Sequence, residues 1–377
     1  MDASVKSSLT KSTKIYVINS VSINGKNTAS VINWFNAVEN KQAYKFCMFD
    51  IKDFYPSIKE SLLHNALKFA KTRTNVLKKD IDLIMHARRS LLFNEGEPWV
   101  KKQDENFDVT MGAYDGAEVC ELVGIYLLSL LSEKYNKNDI GLYRDDGLAV
   151  FKNVSGPMSE KIKKDFQRIF QENDLEIVIS CNMKIMNYLD VTLNLDDGTF
   201  RPYHKPNDEI VYIHSESNHP PSIIKQLPIS IESRLCNISS SKEIFDESVK
   251  VYQEALDKSG FTHKLSYKPT VNSKKNKKNR KRNIIWFNPP YSRSVSTNVG
   301  KCFLKLIDKH FPKHHKFRKL FNRNTVKVSY SCLPSMKTKI NQHNRKVLKI
   351  TGKKTSQNVK TCSCPRNNVC PNGRNLS

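Results

Sequence analysis

Acidic residues are in short supply: 37 Asp and Glu stand against 62 Lys and Arg, a formal charge of +25. Solubility alone does not need that much charge, so the imbalance points to a polyanionic partner, nucleic acid before a membrane surface. Long apolar runs are missing as well. None approaches the roughly 20 residues of a membrane-spanning helix, and the opening Met1-Asp-Ala-Ser-Val-Lys-Ser-Ser lacks the apolar core of a secretory signal. The expectation is an intracellular chain, nuclear or cytoplasmic, without a membrane partner. Glycine is scarce, at 13 of 377 residues, and no glycine-rich cofactor turn follows a strand-like run. Cysteine numbers nine, an odd count scattered singly at Cys47, Cys120, Cys181, Cys236, Cys302 and Cys332, with a cluster only at Cys362, Cys364 and Cys370. That pattern predicts reduced thiols and no disulfide framework.

What is present suffices for a core, since 38% of 377 residues are hydrophobic, enough for two or three domains. Residues 1–42 read as a polar lead-in. The run from Ala43 to Ile51 predicts a strand. Pro56 to Glu60 predicts a helix start, with Ser57 and Glu60 as a capping box and Ile58, Leu62, Leu63, Ala66, Leu67 and Ala70 as one apolar face. A second helix is expected over Lys79–Leu92, and a buried one from Ala117 to Leu131 after the turn Gly112-Ala-Tyr-Asp-Gly116. Further on, a helix is expected over Pro157–Asn173, a strand over Leu175–Ile179, and one alternating strand over Asn187–Leu195 that forms a hairpin with Thr199–Tyr203. After Asn218 come short helical segments, Ser222–Leu227, Ile229–Cys236 and Ser241–Ser259. The run from Lys274 to Arg282 holds seven positive charges in nine residues and reads as a basic linker. Beyond it, Ile284–Phe287, Val299–His310, Thr325–Tyr330 and Ser335–Leu348 suggest a small basic α/β module. The fold class expected is α+β, a sheet with helices over one face followed by a helical part and the basic module.

The chemistry-bearing stretch is Ile140-Gly-Leu-Tyr-Arg-Asp-Asp-Gly-Leu-Ala-Val-Phe151, two apolar runs around a turn, with Asp146-Gly147 predicted at the hairpin tip. Adjacent carboxylates repel one another, and holding a divalent cation is a use that tolerates the repulsion. A two-metal site needs a further carboxylate, and Asp50 or Asp53 ends the first apolar strand. Metal-assisted polymerisation requires such carboxylates on neighbouring strands.

These residues resemble the reverse transcriptases, most closely those of Penelope-like retroelements. Phe49-Asp-Ile-Lys-Asp-Phe-Tyr-Pro-Ser-Ile58 looks like the first palm motif and Tyr143-Arg-Asp-Asp146 like its partner. Thr110 to Leu122 resembles the glycine-containing motif, while Cys181-Asn-Met-Lys184 and Tyr188-Leu189-Asp190 are similar to the lysine motif and primer grip. The resemblance implies RNA-templated DNA synthesis. Asp50, Asp145 and Asp146 would hold two Mg²⁺ or Mn²⁺ ions, and Lys184 would donate a proton to pyrophosphate. Ile51, Tyr55 and Gly116 would contact the deoxynucleoside triphosphate, with Tyr55 as steric gate. Tyr143, Arg144, Tyr188 and Leu189 would contact the RNA template and DNA primer.

It also implies a palm over 43–205, a helical thumb over 206–263, the linker over 264–283, the basic module over 284–361 and a partial cysteine linker over 362–377. The family's fingers need far more than the 49 residues before the first palm motif, and its GIY-YIG endonuclease has no counterpart here. A catalytically weak or inactive nucleic-acid-binding relic is therefore the alternative. Three thiolates at Cys362, Cys364 and Cys370 make an incomplete structural zinc site. Asn288-Pro-Pro-Tyr291 resembles the catalytic loop of amino-group DNA methyltransferases, but that class needs the glycine-rich turn this chain lacks. A structural turn is the preferred reading there.

Overall fold

The computed structural model describes residues 27–89, 92–94, 97–100, 107–111, 113, 115–268, 283–334, 336–351 and 360–361. The lead-in before residue 27, Gly112, Tyr114, the 274–282 run and the three C-terminal cysteines lie outside them. Two compact units are present, one of residues 1–204 with 348–377, the other of residues 205–347. Among the described residues no helix is long and apolar enough to cross a membrane.

In the first unit, β1 (Tyr44–Ile51) is the second-from-edge strand of an antiparallel sheet. Its neighbours are β5 (Asp146–Lys152), with β4 (Ile140–Tyr143) beyond it, and on the other side β6 (Ile177–Met183). Alternation along β1 sends Cys47, Phe49 and Ile51 to one face. There they join one apolar cluster with Leu62, Leu63, Ala66 and Leu67 of α3 (Glu60–Lys71), Val119, Cys120, Val123 and Leu127 of α5 (Gly116–Leu131), and Ile162, Phe166 and Phe170 of α6 (Gly156–Gln171). Between these come α2 (Phe54–Ser57) and α4 (Lys78–His86). Phe49 is fully buried, with ring centroids 5.3 Å from Phe166 and 5.5 Å from Phe170. Burying one such ring stabilises the fold by about 1.5–3 kcal/mol. Phe46, on the opposite face, meets Phe35 of α1 (Thr28–Ala37), which also meets Phe200. The second face is therefore covered too, by α1 and the three-stranded sheet β7 (Ile185–Tyr188), β8 (Val191–Asn194) and β9 (Phe200–Pro202).

Several local expectations change. The proposed capping box does not form: Lys59 is the N-cap of α3, without a side-chain cap bond, and Ser57 Oγ donates to the Lys52 carbonyl instead. The helix expected to reach Leu92 stops at His86, and β2 (Leu92–Asn94) pairs with β3 (Glu97–Val100). The alternating run 187–195 is broken at Leu189, whose φ of 54° turns β7 back into β8. Cys47 and Cys181, facing one another across β1 and β6, are joined as a disulfide, so the expectation of reduced thiols fails for that pair. Adjacent antiparallel strands can bring two Cβ atoms within bonding reach, which sequence spacing does not reveal.

The second unit contains α7 (Pro221–Asn237) and α8 (Lys242–Lys258). Sequence reading splits α7 at Pro228, yet the helix runs through it. Pro228, Glu232 and Leu235 form one buried stripe, and packing of that face holds the helix across the hydrogen bond proline cannot donate. Glu232 accepts from His263 Nε2 at 2.7 Å and meets Lys268 Nζ at 2.5 Å, tying the irregular segment after α8 to α7. Farther along, β10 (Ile285–Phe287) pairs in parallel with β11 (Val326–Val328), and α9 (Val299–His310) lies between them in sequence. Phe287 stacks on Phe303 at 4.0 Å, and Asp308 is held by Arg318 and Arg323. The α10 helix (Met336–Thr351) follows, and β12 (Lys360–Thr361), which belongs to the first unit, pairs in parallel with β3.

Candidate active site

The acidic residues meet at one end of the first unit's main sheet. Asp50 is the register partner of Asp146 across β1 and β5, so both side chains leave the same face, opposite the helical core. Asp145 lies in the two-residue link between β4 and β5, and its carbonyl accepts the Ile51 amide at 3.0 Å. The hairpin tip is thus Arg144-Asp145, with Arg144 in the left-handed region at φ 58°, and not Asp146-Gly147 as expected. Gly147 has a different task. A Cβ there would lie 2.1 Å from the Phe49 ring, so the glycine lets the aromatic core pass beneath the strand pair that carries Asp50 and Asp146.

Burial raises the Asp50 carboxyl above the usual aspartate value, and the charge of Asp145 adds to the rise. These two carboxylates therefore sense each other although Asp50 remains exposed. On the far side of Asp146, the buried Tyr188 donates from its hydroxyl to the Asp146 carbonyl at 3.2 Å. Burial above all, then the Asp146 charge, pushes that phenol upward.

Tyr55 occupies α2, which begins just after Asp53, a residue in the left-handed region at φ 45°. Its ring edge is 3.7 Å from where a Gly116 Cβ would be, and its phenol bonds with Cys120, one turn further along α5. Desolvation raises both groups, Cys120 to about 12. The fields of Arg144 and Asp145 also reach Tyr55, so its ring belongs to the same locality as the carboxylates.

No protein-family model and no curated protein matches the chain. Solved structures do resemble it in part. A telomerase from Candida albicans, bound to a TWJ fragment of telomeric RNA, aligns with a TM-score of 0.45 and 11% identity over 68% of this chain and 45% of that one. An apo telomerase from Candida tropicalis, truncated from its C-terminal domain, gives 0.40 and 14% over 53% and 45%. The RNA-dependent RNA polymerase of a human picobirnavirus gives 0.40 and 14% over 62% and 47%. The chain spans under half the length of each of these neighbours. At TM-scores below 0.5 these likenesses carry no part of the functional reading.

Carboxylate oxygens are the donor chemistry that a hard divalent cation takes. Among the described residues, however, no three His, Cys, Asp or Glu side chains are drawn together closely enough to hold a metal ion. The donors fit in kind, and the Asp50–Asp145 repulsion is what a cation would relieve, but Asp50, Asp145 and Asp146 are not drawn into such a three-member cluster.

Of the other expected residues, Ile51 is buried in the core, leaving only its backbone toward the site. Arg144 lies over the neighbouring Tyr143 ring at 5.4 Å, and Leu189 forms the β7–β8 turn. Lys184 is not brought to the carboxylates by its contacts: it donates to the Gln42 carbonyl and lies 3.7 Å from Asp196. Sequence reading missed Arg88, which is buried against Asp115. One of two adjacent arginines at a helix end gives no signal of burial, and sequence alone assigns no role to Asp115. A glycine followed by apolar residues likewise gives no sign of the Phe49 ring beneath Gly147.

Proposed function

We propose that this chain carries out RNA-templated DNA synthesis by nucleotidyl transfer, as the polymerase of a Penelope-like retroelement. The observation that carries the reading is the β1–β5 register, which pairs Asp50 with Asp146 beside the Asp145 turn although 95 residues lie between the two aspartates. Its support in sequence is the ordered set of four reverse-transcriptase-like motifs. In this reading Asp50, Asp145 and Asp146 hold Mg²⁺ or Mn²⁺. Divalent ions supply activation of a primer hydroxyl and neutralisation of the departing pyrophosphate. Tyr55 presents its ring as the wall beside the sugar, with Gly116 at the start of α5 beside it and its backbone toward the nucleotide. Lys184 takes part as a proton donor only after leaving Gln42 and Asp196.

A second reading, a nucleic-acid-binding relic with weak or no turnover, is favoured by one observation: no three-member metal-holding cluster forms among the described residues. Primer extension on an RNA template separates the two. The proposal expects incorporation that needs Mg²⁺ or Mn²⁺ and follows the template base when that base is changed. Template–primer binding without template-directed incorporation supports the relic.

A further inference from the structure

The buried pair Arg88–Asp115 lies outside the residues assigned to metal binding and nucleotidyl transfer. Both side chains are 1% exposed, and one guanidinium nitrogen, Nη2, lies 2.5 and 2.6 Å from the two Asp115 oxygens. Arg88 Nε is buried with no hydrogen-bond partner among the described residues. Asp115 stands at the N-cap of α5, where an aspartate normally accepts a backbone N–H, but it makes no such bond here. Its carboxylate is committed to Arg88. The Arg88 carbonyl also accepts the Asp108 amide at 2.8 Å, and Arg89 bridges to Phe107. One residue thus fixes both ends of the 107–115 segment.

Gly116 comes directly after that segment. A Cβ at Gly116 would stand 2.9 Å from the Thr110 carbonyl, too close, and 3.7 Å from the Tyr55 ring, in ordinary contact, so the glycine lets α5 begin against the Thr110 backbone with the Tyr55 ring close by. Moving Asp115 moves Gly116, and Gly116 sets how far the Tyr55 ring can lean toward α5. A buried ion pair is a poor device for stability alone, because well-packed apolar replacements are often neutral or stabilising. Holding a fixed geometry is a role that apolar replacements do not reproduce.

We propose that Arg88 and Asp115 form a positioning pair that sets the Tyr55–Gly116 wall, and through it the preference for a deoxyribose over a ribose. This inference rests on the polymerase reading and adds residues that touch neither substrate nor metal. The test is equilibrium binding of dGTP and GTP to the full-length protein on a template–primer whose primer lacks the 3′-hydroxyl and whose next template base is cytosine, read beside the thermal midpoint. Wild type is expected to favour dGTP by about tenfold, equivalent to about 1.4 kcal/mol. The double variant Arg88→Met/Asp115→Leu keeps the thermal midpoint and binds both nucleotides alike. Arg88→Lys restores the preference only in part, since a lysine ammonium does not reproduce a planar guanidinium.

An unchanged dGTP-to-GTP ratio in the folded double variant overturns the proposal, as does a wild type with no preference. Should Arg88→Met alone fail to fold, the double variant still decides the matter, because it leaves no unpaired buried charge. Binding ratios are read without turnover. Loss of the polymerase reading in an extension assay is therefore distinguishable from loss of this inference.

Discussion

Replacing Gly147 by alanine tests whether the acidic strand pair is held in place by the aromatic core. The added Cβ would stand 2.1 Å from two Phe49 ring carbons, where carbon–carbon contacts settle near 3.5–4.0 Å. A gap of about 1.5 Å or more has to be found. Phe49 cannot supply it cheaply, because its ring is fully buried against Phe166 and Phe170. Overpacking of this kind typically costs about 1–3 kcal/mol, and the upper end is expected here. A loss of ~3 kcal/mol lowers the midpoint of a unit of about 200 residues by roughly 6–12 °C. Thermal unfolding followed by circular dichroism measures it, with Gly147→Ala also made in a Phe49→Leu background. The smaller side chain should recover a large part of the alanine penalty, a coupling of about 1–2 kcal/mol in a double-mutant cycle. A Gly147→Ala protein that melts with wild type, or a penalty the same in both backgrounds, refutes the packing argument.

The acid–base groups and the net charge set three other outcomes. Asp50 binds its proton more tightly folded than unfolded, so its ionised form opposes folding at neutral pH, and that opposition is relieved as pH falls through the raised value. Asp50→Asn should therefore raise the melting midpoint at pH 7 while removing turnover, with the gain shrinking as pH falls through the raised value and gone below the unfolded value of about 4; a lower midpoint at pH 7 contradicts this. For Glu232 the sign is opposite. Burial alone would raise its carboxyl, but hydrogen bonds from Lys268 and His263 outweigh burial and hold it below the usual range. Its contribution is then complete above the unfolded value of about 4.3 and is lost as pH falls through the folded one. Glu232→Gln should cost about 1.5–3 kcal/mol near neutrality and flatten the acid limb of a melting-versus-pH series; an unchanged limb rules the linkage out. Template–primer affinity should fall steeply with salt, with a log–log slope of about −0.9 per phosphate contacted on B-form DNA, and salt-independent binding would contradict a phosphate-directed partner.

What sequence could reveal depended on how local the cause was. The inward face of α3 was legible because Leu62, Leu63, Ala66, Leu67 and Ala70 obey helical spacing, and all are buried. That a carboxylate at the end of the first strand would join the Asp145–Asp146 turn was legible from metal-site chemistry, but the choice of Asp50 over Asp53 came only through a resemblance of motifs, since pairing of β1 with β5 is a long-range event with no local mark. The hairpin tip was misplaced because Asp-Gly is a strong turn signal, while the need for Gly147 arises from Phe49, 98 positions earlier. Ser57 had two partners within reach, and the Lys52 carbonyl won over the α3 amides. Pro228 reads as a break, but a buried stripe on both sides of it carries α7 through. Arg88 and Asp115 each look like ordinary surface charges until tertiary contacts bury them together.

The central claim, that Asp50, Asp145 and Asp146 form a nucleotidyl-transfer site, is tested most directly by single-nucleotide primer extension on an RNA template with Mg²⁺ or Mn²⁺, comparing the full chain with Asp145→Asn. That substitution removes a metal-binding charge while preserving size. Incorporation by the unaltered chain is expected, with a loss of at least about a hundredfold in the variant, roughly 2.7 kcal/mol or more in the barrier; equal incorporation by both proteins would contradict the claim.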